Sequence, residues 1–280
     1  MKTIAIASGK GGTGKTFLST NLFRTMLEAG LDVTLVDCDA EVPNDRLFIK
    51  GRLRSGQEVR MFCPEIDGSA CTHCNACAEV CRYNAITSIP AMGYIKVHPE
   101  LCHSCKGCLY FCKDRAIRPS WKTIGRTAAA EDCPFIEARM NEGEHSPVPV
   151  IQEAIELGKR SGSGYLLLDA PPGCSCPFVN TVVHADTILL VTEPTPFGLS
   201  DLKHSISVLK KLGKDYKVVI NKAGIGNGEM KGYLETENIG IIAEIPYSQE
   251  LAACYSQGQL AVDQLREIRD LFQDLMYRII

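Results

Sequence analysis

The 280-residue sequence lacks three features that would each assign a class of protein. No apolar run approaches the roughly 20 residues that a membrane-spanning helix needs, so we expect no membrane span. Lysine and arginine (30) do not exceed aspartate and glutamate (33), which argues against a dominant nucleic-acid surface. We also expect no secretory signal, because a strand-like run and a glycine-rich loop stand at the start of the sequence. We therefore expect a cytoplasmic protein.

Cysteine, in contrast, is abundant, with 14 residues. Disulfides are rare in the cytosol, so a metal-binding role fits these thiols better. Eight of them form two blocks with the same C-x2-C-x2-C-x3-C spacing: Cys71, Cys74, Cys77 and Cys81, then Cys102, Cys105, Cys108 and Cys112. This repeat is typical of bacterial ferredoxins with two Fe₄S₄ clusters. Zinc, which C-x2-C pairs also bind, is the alternative.

In such ferredoxins the fourth cysteine of each block binds the cluster of the other block. This rule assigns Cys71, Cys74, Cys77 and Cys112 to one cluster, and Cys102, Cys105, Cys108 and Cys81 to the other. The motif usually has proline after its fourth cysteine, where this chain has Arg82 and Lys113. The two added charges bear on the reduction potentials more than on the binding of the clusters.

A glycine-rich motif lies between apolar residues 3–7 and the helix-like residues 17–29. It fits the pattern G-x-x-x-x-G-K-[ST] and consists of Gly9, Lys10, Gly11, Gly12, Thr13, Gly14, Lys15 and Thr16. A strand, a loop and a helix in this order predict a phosphate-binding loop, whose backbone N–H groups surround a polyphosphate. Lys15 would contact the β- and γ-phosphates, and the Thr16 hydroxyl would bind Mg²⁺.

Carboxylates follow two further predicted strands. Asp37 and Asp39 come after the apolar residues 31–36, and Asp169 comes directly after residues 165–168. Carboxylates just past strand ends, beside a phosphate-binding loop, are placed to contact Mg²⁺ or an attacking water. For Asp39, capping of a helix is the alternative.

Lys10 makes the loop read K-G-G-T-G-K-T, which resembles the deviant Walker A motif of the MinD/ParA/nitrogenase-iron-protein group. The resemblance implies a Mg²⁺-dependent ATPase that dimerises on ATP, with Lys10 reaching the nucleotide of the partner subunit. It implies that Asp39 positions or activates the attacking water and that Asp37 supports the metal shell or Lys15. Asp169 opens a D-x-P-P-G stretch that is similar to switch II of this group, so it would hold the Mg²⁺ shell through water.

The same resemblance extends to the nucleotide base. Asn221 follows one predicted strand, and Pro246 and Tyr247 follow the last one; loops at these places contact adenine in this group. An Asn-Lys pair after a strand is also a common turn. Guanine is disfavoured, because Gly224 stands where guanine-binding N-K-x-D loops have aspartate.

A further pair of thiols, Cys174 and Cys176, follows the switch II stretch. Cys176 lies seven residues after Asp169, the offset at which the nitrogenase iron protein places a cluster-binding cysteine beside its dimer axis. The resemblance therefore implies a third metal site that bridges two subunits. The alternative is a small buried thiol pair beneath the switch.

Strand-like and helix-like segments alternate outside the cysteine blocks, which predicts an α/β fold with a doubly wound, mostly parallel sheet. We expect helices at residues 147–160, 199–212, 249–256 and 262–277, and strands at 165–168, 187–191, 217–220 and 239–245. Helical periodicity disappears between about residues 62 and 120. We therefore predict a small α+β ferredoxin-like domain at 62–120, inserted into a P-loop ATPase domain at 1–61 and 121–280.

Three functions are consistent with these motifs. The first is an ATP-hydrolysing homodimer that couples its nucleotide cycle to electron transfer through two Fe₄S₄ clusters and a redox partner. The second is a scaffold or carrier that delivers iron–sulfur clusters to an apo-acceptor protein. The third is a positioning ATPase of the ParA type, which the acidic balance and the lack of a basic run disfavour.

Overall fold

The computed structural model describes residues 1–226 and 228–280, which form two compact units. The larger unit comprises Met1–Gly56, Thr127–Arg139 and Pro147–Ile280, and the cysteine-rich unit comprises Gln57–Arg126 and Met140–Ser146. The cysteine-rich unit begins before residue 62 and ends after residue 120, and it takes in a second, short segment. None of the described helices is both long enough and apolar enough to cross a membrane.

The described strands and helices follow the alternation that the sequence predicts. The strands are β1 (Lys2–Ala7), β2 (Val33–Asp37), β3 (Gln57–Ile66), β4 (Ile86–Ile89), β5 (Tyr94–Val97), β6 (Ile117–Ala129), β7 (Phe135–Met140), β8 (Tyr165–Asp169), β9 (Thr187–Thr192), β10 (Tyr216–Ala223) and β11 (Ile241–Pro246). The helices are α1 (Lys15–Glu28), α2 (Ala76–Val80), α3 (Gly107–Phe111), α4 (Val148–Arg160), α5 (Cys176–Val182), α6 (Pro196–Leu212), α7 (Glu229–Thr236), α8 (Gln249–Ser256), α9 (Ala261–Gln264) and α10 (Arg266–Tyr277).

A mostly parallel sheet is the core of the larger unit. Its strands lie in the order β11-β10-β9-β1-β8-β2-β7. β1 runs parallel to both of its neighbours, with Ile4 opposite Leu167 on β8 and Thr187 on β9. β2 pairs in parallel with β7 and β8, as does β10 with β9 and β11. The carboxyl ends of these strands therefore meet at one edge, which is where an open α/β sheet binds its ligand.

Apolar composition explains why these segments form a buried sheet. β1 and β8 read Lys-Thr-Ile-Ala-Ile-Ala and Tyr-Leu-Leu-Leu-Asp, and nearly all their residues are buried. Continuous apolar runs are typical of parallel strands that helices cover on both faces. On α1, Phe17 packs edge-on against Phe272 of α10, with ring centroids 6.0 Å apart. The helix that opens at the glycine-rich loop is thus anchored to the C-terminal helix.

The helix predicted at residues 262–277 is interrupted. Leu265 has extended backbone angles (φ −120°, ψ 116°), so the segment divides into α9 and α10. The sequence patterns did not predict α7. α6 starts earlier than predicted, at Pro196, because proline is compatible with the first turn of a helix and Thr195 caps it by accepting a hydrogen bond from the Gly198 N–H.

The cysteine-rich unit has little apolar interior of its own. Phe62, Ile86 and Ile117 form its buried apolar cluster together with Cys77 and Cys108. β3 and β6 are neighbours in this unit, β4 and β5 form an antiparallel pair, and its helices α2 and α3 each have five residues. A unit of this size with so small a core usually needs metal ions or disulfides for stability.

Candidate nucleotide-binding site and cysteine cavities

The glycine-rich loop joins β1 to α1 and has the backbone that its sequence predicts. Gly12 and Gly14 have φ angles of 77° and 99°, in the left-handed region that favours glycine. A side chain at Gly9 is excluded as well, since its Cβ would lie 2.5 Å from the carbonyl oxygen of Asp201. Lys15 is the first residue of α1 and is mostly buried. The loop can therefore present its N–H groups and Lys15 to a phosphate.

Asn221 supports this loop from the end of β10. Its side-chain Nδ2 donates a 2.8 Å hydrogen bond to the carbonyl oxygen of Thr13, and its Oδ1 accepts one of 2.9 Å from the Lys222 N–H. A Cβ on Gly14 would overlap the Asn221 amide. The residue predicted to contact adenine thus also fixes the position of the phosphate loop, which the sequence reasoning missed.

A cavity of about 290 Å³ opens beside the loop. Three of the residues that line it, Asn221, Pro246 and Tyr247, are those predicted to contact adenine. The full lining consists of Gly12, Gly14, Phe17, Asn221, Lys222, Pro246, Tyr247, Ser248, Leu251, Ala252 and Tyr255. The sequence patterns missed Phe17, Leu251 and Tyr255, because apolar residues on helices are expected to belong to the core. A mostly apolar pocket with a few polar groups suits a planar base.

Three buried carboxylates meet at the carboxyl edge of the sheet. Asp37, Asp45 and Asp169 bring one ligand oxygen each to within 4.8 Å of the others. Thr16 Oγ1 donates a 2.9 Å hydrogen bond to Asp169 Oδ2. Of the residues predicted to surround Mg²⁺, Thr16, Asp37 and Asp169 come together here. Asp45 takes the third place in this cluster, rather than Asp39.

Electrostatics make this cluster a candidate cation site. Burial, together with the charge of Asp169, raises the pKa of Asp37 and of Asp45 well above the ordinary range. Burial also raises the pKa of Asp169, while the Lys15 ammonium acts in the opposite direction. Among residues 1–226 and 228–280, no donor reaches either carboxylate oxygen of Asp45. Three carboxylates that repel each other, two oxygens of which belong to Asp45 and lack a donor among the described residues, fit a divalent cation.

Asp39 lies at the edge of this cluster, in the loop after β2. Its N–H donates to Asp37 Oδ1 over 3.0 Å, and its own Oδ1 accepts a long bond of 3.4 Å from the Val42 N–H. Burial raises the pKa of Asp39 to about 6. A carboxylate with this pKa can accept a proton from a water molecule near neutral pH.

The Lys10 side chain forms an ion pair within its own subunit. Its Nζ lies 2.6 Å from Oε1 of Glu193, a residue just after β9. Lys222, next to Asn221, contacts the other oxygen of the same carboxylate at 2.9 Å. Sequence reasoning did not select Glu193, because a glutamate after a strand carries no motif.

Comparison with known proteins assigns the chain to a family. A family model described as the CobQ/CobB/MinD/ParA nucleotide binding domain matches residues 4–262. The chain belongs to this family. Proteins of the MinD and ParA type within it are P-loop ATPases, and the resemblance predicted from the loop motif is confirmed at this level.

Individual relatives cover nearly the whole chain. An uncharacterized protein of Methanocaldococcus jannaschii is 30% identical over 100% of this chain and 98% of its own length. A cytosolic Fe-S cluster assembly factor Nubp2 homolog of Aedes aegypti is 24% identical, over 94% of this chain and 89% of its own. The septum site-determining protein MinD complexed with Mg-ADP, from Pyrococcus horikoshii OT3, is a structural neighbour with a TM-score of 0.61. It is 19% identical and covers 99% of this chain and 95% of that one, which shows the shared fold.

This family member also carries the two cysteine blocks in its smaller unit. One cavity is lined by the first three cysteines of the first block together with the fourth cysteine of the second block: Cys71, Cys74, Cys77 and Cys112. The converse set lines another cavity: Cys81, Cys102, Cys105 and Cys108. These are the two crossed sets that the ferredoxin rule predicts. Four thiols facing one cavity fit an Fe₄S₄ cluster by the chemistry of the donor set.

The two blocks repeat each other in backbone detail. The left-handed residues His73 and Asn75 have counterparts in Ser104 and Lys106, with φ angles of 55° and 67° against 57° and 62°. The fourth cysteines match as well: the Ala85 N–H donates to Cys81 Sγ and the Ala116 N–H to Cys112 Sγ, each over 3.3 Å. An N–H directed at a sulfur stabilises a thiolate, so both crossed ligands have the same support.

Cys174 and Cys176 lie in the larger unit, at the start of α5. The Cys174 thiol is half-buried and lies 3.3 Å from the Ser205 hydroxyl, while Cys176 is exposed. His145 belongs to the cysteine-rich unit and stacks parallel to His103. The bridging metal site stays a prediction.

Proposed function

We propose that the protein is an ATP-hydrolysing homodimer that couples its nucleotide cycle to electron transfer through two Fe₄S₄ clusters. The observation that carries this proposal is the presence, in one chain, of a phosphate loop with a buried carboxylate cluster and of two crossed four-cysteine cavities. Neither feature alone favours coupling, but a chain that has both can link nucleotide state to redox state.

On the nucleotide side, each residue has a role that follows from its position. The N–H groups of the loop and the Lys15 ammonium bind the phosphates, and Thr16, Asp37, Asp45 and Asp169 hold Mg²⁺. Mg²⁺ neutralises charge that develops on the phosphates. Asp39 accepts the proton of the attacking water, since its pKa of about 6 lies close to the working pH.

Dimerisation completes the site in this proposal. Lys10 leaves its own subunit and contacts the phosphates bound by the partner, where a second cation stabilises the transition state. A cation in this role accounts for about 10³-fold or more in rate in related phosphoryl-transfer enzymes. The adenine ring occupies the cavity between Asn221 and Tyr247, with Pro246 and Phe17 as apolar walls.

On the redox side, the cysteines hold the clusters and the rest of the unit tunes them. The clusters carry single electrons when bound. The Ala85 and Ala116 N–H groups donate to the crossed cysteine sulfurs, and Arg82 and Lys113 follow those cysteines directly. Both features stabilise the added negative charge of a reduced cluster, and so favour the reduced form.

The test is anaerobic purification, followed by iron counting and by ATPase rates with the clusters oxidised and reduced. About eight iron atoms per chain are expected for two Fe₄S₄ clusters. A change in ATPase rate with redox state would establish coupling. A colourless, zinc-loaded protein, or identical rates in both states, would contradict the proposal.

A second candidate function is the assembly or delivery of iron–sulfur clusters. The similarity to a cytosolic Fe-S cluster assembly factor Nubp2 homolog favours it. In this function Cys174 and Cys176 lie opposite the same two residues of the second subunit in a two-fold dimer. The four thiols together hold a labile cluster as cargo. A variant with all eight block cysteines replaced, reconstituted with iron and sulfide, would then retain about four iron atoms per dimer and lose them on Cys176→Ser. A folded, dimeric variant without iron would exclude this site.

A further inference from the structure

Glu193 forms ion pairs with two lysines at once. Its Oε1 lies 2.6 Å from Lys10 Nζ, and its Oε2 lies 2.9 Å from Lys222 Nζ. The glutamate side chain is only 12% exposed, against 31% for Lys10 and 38% for Lys222. A carboxylate this buried is stable only with a cationic partner, because removing one partner of a buried pair leaves an uncompensated charge.

The backbone around Glu193 is held tightly in place. A Cβ on Gly198 would clash with the Glu193 carbonyl oxygen, and one on Gly226 would clash with that of Pro194. Thr195 fixes the start of α6, as its N–H donates to the Glu193 carbonyl and its hydroxyl accepts from Gly198. Glu193 is therefore set by its main chain between the phosphate loop and the loop after β10.

We propose that Glu193 is a positioning residue that holds Lys10 inside its own subunit until a second nucleotide-bound subunit arrives, and that Lys222 neutralises Glu193 once Lys10 has left. The inference rests on the proposed role of Lys10 at the partner's nucleotide. A polyphosphate carries more negative charge than one carboxylate, so it can take Lys10 from Glu193. The Glu193–Lys222 pair then remains, and no buried charge is left without a partner.

Lys222 connects this device to the base pocket. It lines the cavity that we assign to adenine, and its N–H donates to Asn221. Glu193 thus contacts one cation from the phosphate loop and one from the base loop. This arrangement predicts that Glu193 and Lys222 have opposite effects on dimerisation: Glu193 opposes it and Lys222 favours it.

Glu193→Gln removes the charge that holds Lys10, and it is expected to tighten the ATP-dependent dimer by about fivefold to tenfold, the scale of a partly exposed ion pair. Lys222→Met leaves Lys10 as the cation that pairs with Glu193 among the described residues, and it is expected to weaken the dimer by a similar factor. In the double variant the effect of Lys222→Met on dimerisation should vanish, because this proposal routes that effect through Glu193 rather than through the base cavity that Lys222 also lines. Analytical ultracentrifugation with ATP and Mg²⁺ measures the dimer dissociation constant.

Two controls separate this device from a general loss of charge. Glu237→Gln breaks the exposed Lys210–Glu237 pair, whose atoms are 3.2 Å apart, and should leave dimerisation unchanged. ADP affinity of the monomer should stay the same in Glu193→Gln, since the Glu193 carboxylate does not contact the nucleotide in this proposal. A merely structural role of Glu193 would lower thermal stability and ADP affinity together.

The outcomes distinguish the inference from the proposed function. If Lys10→Ala dimerises and hydrolyses ATP as the wild type does, the proposed function of Lys10 is wrong. If Lys10→Ala loses the dimer while Glu193→Gln dimerises no more tightly than the wild type, the inference alone is wrong. An equal effect of Lys222→Met with and without Glu193 would also overturn it.

Discussion

The Thr16 hydroxyl donates a 2.9 Å hydrogen bond to Oδ2 of Asp169, a residue 153 positions away in the sequence. Thr16 lies in the first turn of α1, after the glycine-rich loop that follows β1, and Asp169 ends the neighbouring strand β8. Parallel pairing of these strands brings a residue of the glycine-rich loop and a residue of the D-x-P-P-G stretch into contact. The two motifs, read separately from the sequence, therefore belong to one site.

Lys15→Ala should abolish nucleotide binding. Lys15 is mostly buried at the start of α1, and its ammonium opposes the burial that raises the pKa of Asp169. Without this cation, the phosphates would face the carboxylates uncompensated. Calorimetric titration with ATP and Mg²⁺ is the measurement, and Lys231→Ala, which breaks an exposed ion pair with Glu244, is the control. Binding of wild-type strength in Lys15→Ala would contradict the phosphate assignment.

Asp45→Asn should stabilise the chain without metal and weaken Mg²⁺ binding. The raised pKa of Asp45 means that the folded chain binds more protons than the unfolded one, so stability falls as pH rises above about 4. Removing this carboxyl should add on the order of 1 to 3 kcal/mol at pH 7.5 in EDTA, and little at pH 4.

Thermal melts at both pH values, with and without Mg²⁺, measure these effects of Asp45→Asn. Asp270→Asn, at an exposed carboxylate on α10, is the matched control and should change neither quantity. A loss of stability in EDTA at pH 7.5 would show that Asp45 is satisfied without a cation, contrary to our assignment.

Cys81→Ala should disturb the cluster of the second cysteine block, and Cys112→Ala that of the first. Each of these residues lines the cavity of the opposite block. Iron content and paramagnetic resonance of the reduced protein, prepared anaerobically, would show which cluster signal is lost. Cys254→Ala, in the larger unit, should retain both signals. Loss of the signal of the same block would rule out crossed ligation.

Asn221→Asp should weaken nucleotide binding although it keeps the size of the side chain. The substitution replaces the donor to the Thr13 carbonyl with a carboxylate oxygen, which repels it. A buried acceptor that loses its donor costs about 1 to 3 kcal/mol. Lower affinity for ATP, together with a lower melting temperature, is the expected result. Unchanged values would show that the amide neither fixes the loop nor contacts the base.

The sequence predicts those parts of the site that local motifs encode. Lys15, Thr16 and Asp169 each stand in a pattern whose spacing follows from backbone geometry, and the structure brings them together. Asp45 and Glu193 stand in no such pattern, since they meet their partners only through strand order and loop packing. The roles of Asp45 and Glu193 can therefore be identified only in the folded structure.

The secondary structure, too, could be predicted from the sequence in some parts and not in others. The alternation of strands and helices could be predicted from the sequence, because buried parallel strands need continuous apolar residues. The break at Leu265 was not, because residues 262–277 keep a helical pattern on both sides of it. Tyr255 was expected in a helix, but its position beside the base cavity depends on how α8 packs, which no periodicity encodes.

Each cysteine cavity draws its lining from both blocks, and this has a consequence for biosynthesis. A nascent chain that has emerged from the ribosome as far as Cys81 holds no complete set of four ligands. The second set is complete only with Cys108, and the first only with Cys112. If the cavities hold clusters, neither cluster can have all four ligands until the second cysteine block has been made.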